Sequence, residues 1–117
     1  MTIATDAQFD TFKQEFERWQ KAFGCEGYNA YFIQAPLEGC YADIAIHQEL
    51  MTACVRMAND IEEADEKCFD PLKCAKHEAL HLLVGRLSEG AGERHITETE
   101  ISAATEELVN KLTRLIP

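Results

Sequence analysis

Apolar and polar positions alternate along this chain with two different periods, and the periods divide it into elements. From Asp6 to Phe23 the aromatic residues Phe9, Phe12, Phe16, Trp19 and Phe23 recur every three or four positions, which predicts an amphipathic first helix with that stripe in the core. Gly24 ends it and Gly27 helps turn the chain. The period then falls to two. Tyr28 to Ala35, closed by Pro36, predicts a first strand rich in aromatic residues. After a turn at Leu37-Glu38-Gly39, Cys40 to His47 predicts a second, with Cys40, Ala42, Ile44 and Ile46 on one face and Tyr41, Asp43, Ala45 and His47 on the other. Gln48-Glu49-Leu50 turns again, and Thr52 to Met57 predicts a third strand, although the composition of Met51 to Ala58 also suits a helix. Short loops between successive strands predict an antiparallel meander.

Asn59 to Phe69 is an acidic connector. A second helix follows from about Pro71 to Leu87, with Asp70 as N-cap, Pro71 at the first helical position, and Leu72, Ala75, Ala79, Leu80, Leu83, Val84 and Leu87 as a broad apolar stripe. Ser88 to Gly92 is a glycine-rich turn. Thr97-Glu98-Thr99-Glu100 is a capping box opening a third helix, whose stripe is Ile101, Ala104, Leu108, Val109, Leu112, Leu115 and Ile116. The resulting fold class is α+β in a single domain: an N-terminal helix, a small antiparallel three-stranded sheet, then two helices.

Composition narrows the function classes. The formal net charge of -10 argues against nucleic acid and anionic membranes as partners, since both are bound through Lys and Arg. No apolar run approaches the roughly eighteen residues of a membrane helix, and the N-terminal segment lacks the pattern of a signal peptide. Five cysteines, an odd number without a C-x-x-C pair, fit reduced thiols in a cytoplasmic protein, with Cys40 and Cys54 as packing residues.

The chemistry concentrates in His77-Glu78-Ala79-Leu80-His81, an H-E-x-x-H motif inside the second helix. Residues four apart share a helical face, so His77 and His81 can hold one metal ion, while Glu78, rotated about 100°, can reach a water on that metal. Cys68 and Cys74 add C-x5-C-x2-H-x3-H, whose ligand types would suit a structural zinc site in which Glu78 has no role. A catalytic site needs a third ligand. The extended H-E-x-x-H-x-x-G-x-x-H pattern fails, because Val84 and Leu87 occupy the Gly and His positions. His95 lies in the turn before the last helix. Glu106 and Glu107 flank the last stripe on opposite sides, about 130° from its centre, and the helical wheel does not choose between them.

From His77 to Leu87, and again from Thr97 to Leu112, the chain resembles small zincin-like proteins encoded by phages and prophages, in which an H-E-x-x-H helix is followed by a last helix of form E-E-x-x-V-x-x-L. The likeness covers about the last fifty residues; the earlier part shares only the order helix, strands, helix. On that pattern Glu106 takes the third-ligand place ahead of Glu107 and His95, with Thr105 standing where the first acid would be. The resemblance implies a zinc metallopeptidase of glutamate type: Zn2+ on His77, His81 and Glu106, Glu78 as catalytic base, and a peptide or protein substrate extended beside the second or third predicted strand. Arg94, His95, Tyr31 and Tyr41 are candidate donors to the developing oxyanion. The alternatives are a catalytically silent interaction protein on the same scaffold and the structural zinc module.

Overall fold

The computed structural model describes residues 2–62, 67–92 and 96–115. In chain order its elements are β1 (Thr2–Ile3), α1 (Asp6–Ala22), β2 (Asn29–Ala35), β3 (Ala42–His47), β4 (Thr52–Ala58), β5 (Asp60–Ile61), α2 (Pro71–Gly92) and α3 (Glu98–Leu115). The layout is the expected α+β one. No described helix is long and apolar enough to cross a membrane.

α1 begins with a full capping box, Thr5 accepting from the Gln8 backbone while the Gln8 side chain accepts from Thr5 N–H at 2.8 Å. It ends where Gly24 adopts φ +72, a left-handed conformation that removes the chain from the helix without a Cβ penalty. The buried side of α1 is the aromatic stripe read from the sequence: Phe12 and Phe16 are fully buried, and Phe16 meets Phe32 of β2 edge to face. Gln20, also buried, donates to the carbonyls of Cys25 and Tyr28 and so fixes the turn leading into β2.

The sheet departs from the expected meander. Its strand order is β2-β4-β3, with β4 antiparallel to β3 but parallel to β2, so the sheet is mixed. The reason lies in β4. Ala53, Val55 and Met57 are completely buried, and the strand richest in buried side chains takes the central position. The six residues Pro36–Tyr41 carry the chain past β4 to the far edge, leaving β3 and β4 to form a hairpin. One sheet face packs on the helices through the row Phe32, Val55 and Ile44; the other carries Tyr31, Cys54 and Ala45. The pairing of β1 with β5, missed in the sequence because each strand has only two residues, ties the N-terminus to the segment after β4.

α2 is longer than predicted. The glycine-rich stretch from Ser88 to Gly92 continues the helix instead of turning. α3 starts at the expected place, with Glu100 N–H donating to Thr97 Oγ1 at 3.1 Å. Of its predicted stripe, Ala104 is buried, Leu108, Leu112 and Leu115 are partly buried, and Val109 is exposed.

Candidate metal centre

The site is built by how α2 is seated. Asp70 caps the helix, accepting from Leu72 N–H at 3.0 Å. Ala75 and Ala79 are fully buried, and such small side chains let α2 approach α1 closely. Leu82 and Leu83 complete the inner side. Leu72 and Leu80, placed in the predicted stripe, are exposed. Seating the helix on its alanine and leucine face turns His77 and His81 outward and Glu78 towards β3.

His77 and His81 are exposed, one turn apart, with their Nε2 atoms 3.2 Å from each other. Two ring nitrogens on a tetrahedral metal, each at ~2.0–2.1 Å, stand about 3.3–3.4 Å apart, so the pair already has the spacing a shared ion requires. Glu78 is 5% exposed, and ligand atoms of His77, Glu78 and His81 lie within 4.8 Å of one another. Among the described residues, this is the one group of three or more His, Cys, Asp or Glu side chains gathered closely enough to hold a metal. Burial pushes the Glu78 carboxyl above its ordinary value, opposed by the neighbouring His81 and His77 and reinforced by Asp43. A carboxyl kept out of bulk water beside two imidazoles is placed to accept and return a proton.

Two hollows flank the histidines along the cleft between α2 and β3. One, of ≈390 Å³, holds His77 and Glu78 together with Tyr41, Lys73 and Cys74. The other, of ≈400 Å³, holds His81, Ile44, Ile46, Gln48 and Gly85. Gly85 explains the close approach of helix and strand: a Cβ there would stand 3.0 Å from Gln48 Nε2 and 3.2 Å from Ile46 Cδ1. β3, the second predicted strand, is thus both a sheet edge and a wall of the cleft, whereas the third, β4, is central.

The remaining sequence-derived candidates are placed as follows. Tyr41 lies in the hollow with His77 and Glu78, its ring against Phe69. Tyr31 is on the open face of the sheet, 57% exposed. Arg94 and His95 lie outside the described residues. Glu106 is exposed on α3 and does not join the group at the histidines. Glu107 is engaged elsewhere, ion-paired to Arg86 and, at 3.4 Å, to Lys111. Partial burial raises its carboxyl pKa, but the bonds to Arg86 and Lys111 outweigh this and hold it below its ordinary value. α3 meets α2 across a cavity of ≈310 Å³ lined by Leu82, Leu83, Arg86 and Leu87, a stretch of helix on the far side from His77 and His81. Neither Cys68 nor Cys74 joins the histidines; Cys68 is exposed, and burial raises the pKa of the half-buried Cys74 thiol. Cys40, expected to pack, is exposed, and Cys54 is partly so.

Sequence reasoning missed Gly85 and Gln48. A glycine in mid-helix costs about 1 kcal/mol relative to alanine, and that cost was the available signal of a close contact. No protein-family model matches the chain, and neither a curated protein nor a solved structure matches it.

Proposed function

We propose that this chain is a metal-dependent hydrolase of the zincin type acting on peptide bonds, with zinc as the metal its donors suit. The observation that carries the reading is the pair of Nε2 atoms 3.2 Å apart beside the buried Glu78 carboxylate. In this reading His77 and His81 are ligands. Zinc, when bound, lowers the pKa of a coordinated water towards ~7 and polarises the carbonyl to be cleaved. Glu78 takes a proton from the attacking water and passes it to the departing nitrogen as the C–N bond breaks, so one water is consumed per bond. No described strand pairs with the outer edge of β3, and an extended substrate can lie along it, the two hollows receiving the side chains on either side of the cleaved bond. Tyr41 is the candidate donor to the oxyanion, by its place in the hollow with Glu78. Glu106 remains the third ligand that the resemblance implies. The position of α3 lends it no support, and water could complete the coordination instead.

The test is Glu78→Gln. We expect metal to be retained at the wild-type stoichiometry while hydrolysis of a peptide library falls to background. Hydrolysis that survives the substitution would overturn the assignment of Glu78. A second reading, a binding protein with a silent site, is favoured by one observation: Glu106 stands apart from the histidines. In that case neither wild type nor variant hydrolyses any peptide.

A further inference from the structure

The two edges of the three-stranded sheet are built differently. β3 lies in the cleft beside α2 and carries Asp43, ion-paired to Arg56. β2 is the other edge, and no described strand pairs with its outer side. Its residues Asn29–Ala35 carry no charge, and the uncharged run extends from Gly27 to Leu37, in a chain of net charge -10. Exposed edges are ordinarily blunted by Lys, Pro, a bulge or a covering element, because their free N–H and C=O groups template further pairing. β2 has no Lys or Pro, and its seven residues pair with β4 in unbroken register, so it has no bulge. Beside it α1 leaves an open groove of ≈510 Å³, reaching Ala30 and Phe32.

We propose that β2 is the dimerisation edge: a second copy of this chain adds its own β2 antiparallel to this one about a two-fold axis at Phe32. The product is a continuous six-stranded sheet. In that register Tyr31 of each copy faces Ile33 of the other on the open sheet face, where these residues are 57% and 48% exposed in the single chain. Cross-strand pairs of an aromatic with a β-branched residue are stabilising, and here they occur twice. Ala30 faces Gln34, Asn29 faces Ala35, and no charge opposes a like charge. The groove is flanked by Arg18 and Lys21 with Glu17 and Glu26, two of each sign, a set that a two-fold axis can match to itself. Like-charged copies repel elsewhere, so the neutral edge is where they can meet. Both metal centres then lie at the outer ends of the sheet, open to substrate.

Sedimentation equilibrium over a concentration series tests this. The wild type is expected to move from 13.2 kDa towards twice that mass, more readily at high salt. Tyr31→Lys combined with Ile33→Lys places like charges opposite each other and should weaken the dimer about 30-fold or more, even though it reduces the net negative charge. Tyr31→Glu combined with Ile33→Lys puts opposite charges in register and should restore dimerisation to within about tenfold of wild type. Both sites are exposed, and circular dichroism verifies that each variant folds. A wild type that stays at 13.2 kDa at every concentration, open-ended oligomers, a double-lysine variant that dimerises like wild type, or a swap variant no better than it would each overturn the proposal.

Discussion

The two sides of α2 obey different rules. On the side facing α1 and α3, Ala75, Ala79, Leu82 and Leu83 are 7% exposed or less, and their sizes fix where the helix lies. On the side bordering β3, His77 and His81 project into solvent, and Glu78 is the buried exception between them. The first side spends its side chains on position, and the second uses the position so obtained to aim three polar groups at one point. Damage to one side should therefore be separable from damage to the other.

The sharpest break is His77→Ala. It should abolish metal binding, read by elemental analysis and calorimetric titration, and leave the thermal stability of the metal-free protein within about 0.5 kcal/mol, because the ring is exposed. Next, Glu78→Gln should lower the rate of hydrolysis by about 10²–10⁴-fold with metal retained. On the opposite side, Leu82→Ala should cost about 2–5 kcal/mol in denaturant unfolding while the metal stoichiometry holds. Loss of metal in that variant at a temperature where it stays folded would dissolve the distinction between the two sides. Glu106→Ala sharpens the comparison at α3: a tenfold or greater weakening of metal binding would assign α3 a ligand, and no change would leave the imidazole pair completed by water.

A smaller effect is expected where the sides meet. Gly85→Ala gains about 1 kcal/mol of helix propensity but inserts a methyl against Gln48 and Ile46, so a net destabilisation of no more than about 2 kcal/mol is expected. The smallest belongs to Glu107→Gln, which removes the ion pairs to Arg86 and Lys111. At 41% exposure the carboxylate is well screened, and the loss should be under about 1 kcal/mol. Its folded pKa is depressed, so the contribution is present above the ordinary value of 4.5 and fades as pH falls below it. The acid limb of the unfolding curve of Glu107→Gln, compared with wild type, shows this.

Much of the scaffold was legible in the sequence because its elements have strong periods. Phe12 and Phe16 sit where the helical stripe puts them, and Thr97 caps the helix it opens. The pairing of His77 with His81 followed from helical geometry alone. What could not be read was the product of contacts distant in sequence. Strand order depends on which strand the core buries most deeply, and the spacing of β2, β3 and β4 does not encode it. α2 is apolar around much of its circumference, so the wheel placed Leu72 and Leu80 in a stripe that the packed helix leaves outside. The wheel left the third ligand open for a related reason: it says which residues share a flank of α3, not which neighbour that flank meets.

The hairpin register of β3 on β4 has one further consequence. Strand side chains alternate, so sliding β3 by a single residue would swap Ala42, Ile44 and Ile46 for Asp43, Ala45 and His47 on the wall facing α2. A second carboxylate and a third imidazole would then confront Glu78 and its two histidines. The length of the Gln48–Met51 turn is therefore a chemical setting as much as a structural one, and lengthening or shortening it by one residue would rewrite which functional groups share the cleft.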